Sequence, residues 1–406
     1  MFIESKGGLA DLAIFSGKPA FTDPLHVGGP NIGNRERLFA RISDILDRRW
    51  LTNNGQCVQE FEQKLAEMLG VKHCIAMCNA TIALEITTRA LGLKGEVIVP
   101  SFTFIATPHS LQWQEITPVF CDIDPQTHNI DPACVERMIT PRTTGIVGVH
   151  LWGRPCAVEA LTEIARRHDL KLVFDAAHAF GCTNNGRMIG SFGDAEVFSF
   201  HATKFFNTLE GGVVATNDDE LARKVRLMKN FGFAGYDHVI YIGTNGKMNE
   251  VSAAMGLTGL ESLDEFIAVN RRNYECYLEG MATVPGVTLV AYEGEKFNYQ
   301  YIVCEVDEEI TELNRDTLIE ILKAENIFAR RYFYPGCHKM EPYRSYFPHA
   351  GLLLPHTERL TRRVLLLPSG TAVGAGEISE ICRIIRQAVT HGLAITDRMG
   401  KPGTCQ

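Results

Sequence analysis

Glu196-Val197-Phe198-Ser199-Phe200-His201-Ala202-Thr203-Lys204, continuing as FFNTLEGG to Gly212, is the stretch from which the rest of the chain can be read. Val197, Phe198 and Phe200 predict a short strand that runs into a polar turn, with Lys204 at its edge beside Ser199, His201 and Thr203. A lysine taken at random is a solvated surface cation. Here the neighbours are apolar or small hydrogen-bonding residues, so an ammonium is partly desolvated and its pKa falls toward the amine form that attacks carbonyls. The pattern points to a Schiff-base lysine.

A lysine that carries pyridoxal phosphate (PLP) makes demands elsewhere: an acid for the pyridine nitrogen, a cradle for the phosphate and a flat group against the ring. Lys171–Asp175 (KLVFD) predicts a buried parallel strand ending in a carboxylate, followed by Ala176, Ala177 and His178. Ligand chemistry in an open α/β sheet sits at such carboxyl ends. Asp175 there would pair with the pyridinium. Its ordinary alternative is to cap a following helix, and taken alone Asp175 does not separate the two.

Composition sets the frame. With 406 residues, 45% of them apolar and 22% charged, the chain can bury a large core and is expected to form two domains. A net charge of −8 without runs of like charge argues against nucleic-acid or anionic-membrane binding. The glycine-broken start MFIESKGGLADLAIFSG predicts neither a signal peptide nor a membrane span, so a cytoplasmic enzyme is expected. Twelve cysteines are scattered without metal-ligand spacing, which predicts reduced, mostly buried thiols and no metal.

Residues 1–35, rich in Pro and Gly, predict an arm laid over a larger body. Residues 36–265 predict a large α/β domain of seven mainly parallel strands: His73–Cys78, Glu96–Pro100, Pro118–Asp122, Gly145–His150, Lys171–Asp175, Glu196–Phe200 and Gly212–Thr216. The first strand runs into Cys78-Asn79-Ala80-Thr81, where a helix start would hold a phosphate on its free N–H groups and the Thr81 hydroxyl. Phe104, beyond the second strand, could stack on a cofactor ring; aromatics at strand ends are more often core. Asn184-Asn185-Gly186 predicts a hairpin turn. No GxGxxG or GxxxxGK[ST] occurs, which counts against dinucleotide and P-loop sites. Helices over Val251–Phe266 and Ala268–Ala282 lead to a small α+β domain over residues 266–395, with strand-like Gly286–Val290, Tyr299–Val306 and Ala329–Phe333 and a tail from 396 to 406.

Asp175-Ala176-Ala177-His178, then Ser199-Phe200-His201-Ala202-Thr203-Lys204, then Glu210-Gly211-Gly212 resembles, in order and spacing, the PLP-dependent sugar-nucleotide aminotransferases of the DegT/DnrJ/EryC1/StrS family, of aspartate-aminotransferase fold. The resemblance extends from the Leu51–Gly55 loop to Tyr334-Pro335-Gly336-Cys337-His338. GVHLWGRPC (148–156), NFGF (230–233) and PGCHKMEPY (335–343) look most like members that aminate C4 of TDP-4-keto-6-deoxyglucose. Within that resemblance Lys204 is the catalytic lysine, Asp175 holds the pyridine nitrogen and His178 sits near the ring oxygen or phosphate. Phe104 stacks on the ring, and Ala80, Thr81 and Ser199 bind phosphate. The family implies ping-pong transamination with L-glutamate as donor, in amino-deoxysugar and antibiotic biosynthesis. It also implies a homodimer with sites at the subunit interface, where Asn245 would reach a neighbour's phosphate. Lys247 stands in the place of the usual basic residue, and Thr244 and Gly246 depart from the common pattern. His338 and Tyr334 are expected at the substrate cleft. A branch that exchanges the lysine for histidine is a 3-dehydratase; Lys204 favours transamination. Three other functions remain open: a 3-aminotransferase or other PLP reaction, an NAD-type enzyme, and a non-catalytic binding protein on this fold.

Overall fold

The computed structural model describes residues 8–400. Helices α1 (Arg35–Arg48) and α2 (Gln56–Leu69) lead into alternating elements: β1 (His73–Met77), α3 (Ala80–Ala90), β2 (Glu96–Pro100), α4 (Ala106–Gln112), β3 (Thr117–Cys121), β4 (Thr143–Val149), β5 (Lys171–Asp175), β6 (Ala195–Ser199) and β7 (Gly212–Thr216). The seven strands form one sheet in the order β1-β7-β6-β5-β4-β2-β3. Neighbours from β3 across to β6 are parallel. β7 runs antiparallel to both β6 and β1. The central strands are continuous apolar runs because helices cover both faces. The expected large α/β sheet of seven mainly parallel strands is present.

The reversed strand brings distant segments together. Gly212 opens β7 opposite both Met77 at the end of β1 and Ser199 at the end of β6. That register gathers the lysine turn and the start of α3 at one sheet end. A Cβ on Gly212 would stand 2.6 Å from the Ala80 nitrogen, a backbone atom that cannot give way, so only glycine permits this approach.

Beyond the sheet, α5 (Glu250–Leu260) and α6 (Leu263–Met281) lead to an antiparallel sheet of β8 (Val287–Leu289), β9 (Ile302–Val306) and β10 (Val364–Leu367), with α7 (Pro355–Arg363) before β10 and α8 (Gly392–Gly400) last. Phe266 of α6 belongs to the core beside the large sheet, whereas Tyr274, Tyr277 and Met281 belong to a second core with Ile302, Leu365 and Ile381. Leu12, Ala20 and Phe21 from the N-terminal stretch are buried in that second core. The Ala13 and Ala20 N–H groups donate to the Glu325 carboxylate, each at 2.8 Å.

Two expectations are corrected. The break between the two long helices falls at Glu261-Ser262, where the Ser262 N–H closes a tight turn on the Gly259 carbonyl. Ala329–Phe333 is not a strand: a two-residue strand, Ile327–Phe328, pairs with Leu25–His26, and the chain then turns so that Tyr332 and Phe333 face a cavity. Residues 396–400 are helical, held by buried Ile395 and by the Thr396 hydroxyl, which donates to the Glu312 carbonyl; the remainder of the expected tail lies outside the described residues. The hairpin at Asn184–Arg187 forms with Asn185 and Gly186 both at positive φ. Among the described residues eleven cysteines are free thiols, and no helix is long and apolar enough to cross a membrane.

Candidate active site

The ends of β5 and β6 and the starts of α3 and α4 enclose a cavity of about 490 Å³, whose wall includes Lys204, Asp175, His178, Ser199, Phe104, Ala80 and Thr81. Lys204 sits in the turn after β6, where its N–H donates to the His201 carbonyl at 2.8 Å. Its Nζ lies 3.2 Å from the Tyr301 hydroxyl. Loss of hydration inside the protein lowers the ammonium pKa to about 8, with the Asp175 charge opposing. A substantial fraction of the amine is therefore neutral near physiological pH.

Asp175 has both oxygens engaged. Oδ2 accepts from the Thr107 hydroxyl at 2.8 Å, and Oδ1 accepts from the Ala177 N–H at 3.0 Å. The second bond closes a local turn and caps no helix, which disposes of the ordinary alternative for this residue. Burial raises the Asp175 pKa, against the pull of Thr107, Ala177 and Lys204. A buried carboxylate of this kind gains most from a cationic N–H partner in the cavity.

His178 is held neutral, its pKa driven well below the usual histidine range by burial and by the Lys204 charge. The Trp152 N–H, which can only donate, meets Nδ1 at 3.2 Å; the proton of the neutral ring is thus on Nε2. The ring stacks on Phe333 with centroids 5.8 Å apart and meets Tyr301 edge-on at 4.7 Å. At the start of α3, Asn79 Oδ1 accepts from the Ile82 N–H at 2.9 Å. This cap leaves the first two N–H groups of the helix, those of Ala80 and Thr81, without an intrahelical partner beside the cavity. Phe104 is 54% exposed and turns its ring to the cavity, 6.3 Å from Phe333.

Four expected site residues lie elsewhere. His338 is buried, with Nδ1 2.7 Å from the Ser101 hydroxyl and Nε2 2.8 Å from Glu358; both nitrogens are engaged, so it joins elements and does not reach the cavity. Tyr334 lies under the Arg331 and Arg315 guanidiniums, at 4.5 and 5.3 Å from its ring centroid, away from the cavity wall. Lys247 donates to Asn230 Oδ1 at 3.0 Å and shares a shallow depression with Asn53 and Asn54. Asn245 is exposed beside Asn230. Conversely, Thr107, Tyr301, Tyr332 and Phe333 line or support the cavity and were not anticipated. The one signal for Thr107 was its place one helical turn after Thr103, whose hydroxyl it meets at 3.2 Å.

The sequence pattern of the DegT/DnrJ/EryC1/StrS aminotransferase family matches residues 33–386. The chain belongs to this family. A dTDP-4-amino-4,6-dideoxy-D-glucose transaminase from Shigella dysenteriae is 39% identical over 365 residues, 90% of this chain and 99% of that protein. A GDP-perosamine synthase from Caulobacter vibrioides is also 39% identical, over 79% of this chain and 86% of its own. A crystal structure of DesI, analysed in the presence of its TDP-sugar product, matches with a TM-score of 0.93 and 51% identity, covering 97% of this chain and all of that one. DegT-family aminotransferases depend on PLP, and so does this one. The cavity fits that cofactor: a buried carboxylate, a helix start with free N–H groups and an amine of lowered pKa face one space.

Proposed function

We propose that this aminotransferase converts a nucleotide-linked 4-keto-6-deoxyhexose, dTDP-4-keto-6-deoxy-D-glucose, to the 4-amino sugar with L-glutamate as donor, in the cytoplasm and as a step toward amino-deoxysugars such as those of antibiotics. One observation carries the proposal: Lys204 and Asp175 share a cavity in a chain 51% identical to DesI, whose structure was analysed with its TDP-sugar product.

Bound PLP supplies an electron sink for the carbon that gains or loses a proton. Asp175, fixed by Thr107 and Ala177, would keep the ring nitrogen protonated. The Ala80 and Thr81 N–H groups, with the Thr81 and Ser199 hydroxyls, would hold the phosphate. Phe104 would cover one ring face, and His178 Nε2–H would donate to the ring oxygen. Lys204 moves the proton at the substrate carbon; tethering and a pKa of about 8 let one amine accept and return it. Asn245 and Lys247, outside the cavity of their own chain, would complete the site of a second subunit in a homodimer. The division into residues 36–265 and 266–395 places Tyr301 in the smaller part and Lys204 in the larger.

The test is spectroscopic and then chemical. PLP-loaded protein should bleach in the visible on addition of L-glutamate and recover with the keto sugar nucleotide, and product analysis should find the amine on C4. Lys204→Ala should slow turnover about 100- to 10,000-fold. An amine on C3 would redirect the reading to a 3-aminotransferase; no spectral response to any amino donor would end it.

A further inference from the structure

Tyr301 lies one residue before β9, in the part of the chain that carries the second core, yet its hydroxyl is the protein atom that meets the Lys204 amine. The amine stands 3.2 Å from the oxygen and 5.8 Å from the ring centroid. Those two distances place it beyond the end of the hydroxyl and not over the π face, so the contact is a hydrogen bond. We propose that the Tyr301 hydroxyl is a positioning group that holds the free Lys204 amine at the cavity wall through both of its protonation states. The inference rests on Lys204 being the reacting amine.

The chemistry of the two groups supports this. As an ammonium, Lys204 donates to the phenol oxygen. As a neutral amine it presents a lone pair, and the phenol can rotate its O–H to donate into it. Burial pushes the Tyr301 phenol well above its ordinary range, so it keeps its proton throughout and no net charge moves onto it. The proton that leaves Lys204 goes to the substrate carbon, and the one it gains comes from there. The other groups facing the amine cannot substitute. Asp175 is committed to Thr107 and Ala177, and His178 is neutral with Nδ1 occupied. Tyr332 lines the cavity with no hydrogen bond to the amine among the described residues, and His201 and Glu210 pair with each other at 3.5 Å on the cavity wall. The Tyr301 position is itself secured, because its carbonyl accepts from the Tyr292 hydroxyl at 2.9 Å.

Tyr301→Phe removes the hydroxyl and keeps the ring that packs on His178. It should lower kcat about 10- to 100-fold with KM for the keto sugar changed less than about twofold. A second readout uses the cofactor-free protein: the pH dependence of Lys204 acylation by an amine-reactive ester, followed by peptide mass. Loss of an acceptor that stabilises the ammonium should lower the apparent pKa by about one unit and speed labelling near neutral pH several-fold. An unchanged labelling profile, or kcat within about twofold of the parent, overturns the inference. Circular dichroism and melting of the variant separate these outcomes from misfolding. Should Lys204→Ala itself retain donor-driven turnover, the aminotransferase reading falls; should it be inactive while Tyr301→Phe is unaffected, only the role of Tyr301 falls.

Discussion

Lys204 is expensive to bury as a cation, and that cost has a pH signature. Its pKa falls from 10.5 to about 8 on folding because the protein removes its water. Below about pH 8 the amine is charged in both folded and unfolded protein, and the desolvation penalty is fully present. Between about 8 and 10.5 the unfolded chain still holds the proton that the folded chain has released, so folding gains stability as pH rises through this window. In cofactor-free protein, the wild type should therefore gain on Lys204→Ala in urea unfolding between about pH 7.5 and about pH 9.5, the difference cancelling groups common to both. A flat difference would mean that the amine keeps its water. The residues that build this environment divide by how they announce themselves. Lys204 and Asp175 were legible because a charge at the end of an apolar run is unusual. Tyr301 was not, since a tyrosine beside a buried strand has the same local sequence whether it packs in a core or turns its hydroxyl to a cavity.

At the scale of elements, α7 begins without a cap of its own. Its preceding residue, Leu354, offers no side-chain acceptor. Asp122, one residue past β3, reaches across and accepts from the His356 N–H at 2.9 Å and from the Thr357 N–H and hydroxyl at 2.8 Å. A carboxylate at a helix start satisfies orphan donors and faces the positive end of the dipole. Asp122→Ala should cost about 2–3 kcal/mol in urea unfolding because it strands buried N–H groups, and Asp122→Asn should recover part of that. Strands β2, β5 and β7 coincide with expectation to the residue, as apolar runs bounded by Gly, Pro or charge. The helix break at Glu261-Ser262 was invisible because neither residue is a strong breaker, and the turn there is closed by the backbone bond from Ser262 to Gly259. Ala329–Phe333 misled for the opposite reason. Its aromatics have strand propensity, but tertiary context uses Tyr332 and Phe333 as cavity wall.

At the scale of the molecule, the homodimer proposal has a sharp genetic form. If Asn245 serves the neighbour's cavity, Lys204→Ala and Asn245→Ala subunits are each impaired as pure dimers but complement one another when mixed, because one site of each heterodimer regains both residues. Random reassociation should restore about a quarter of wild-type turnover, measured after mixing and refolding of the two variants. No recovery would place Asn245 in its own subunit's business or in none. The long-range pattern of α/β alternation made the large sheet readable from sequence, whereas sites completed by another chain, or residues such as His338 that tie distant elements together, leave no local trace.

The cavity is built from two kinds of chain. Lys204 and Asp175 sit at the ends of β6 and β5 and Thr107 in the first turn of α4, but Tyr332, with Arg330 5.0 Å from its ring centroid, arrives on the short loop after Ile327–Phe328. Substitutions in that loop can reshape the opening while the amine and its carboxylate stay where the sheet puts them. If the sugar meets that wall, a lineage can vary its substrate there while keeping the Lys204–Asp175 pair.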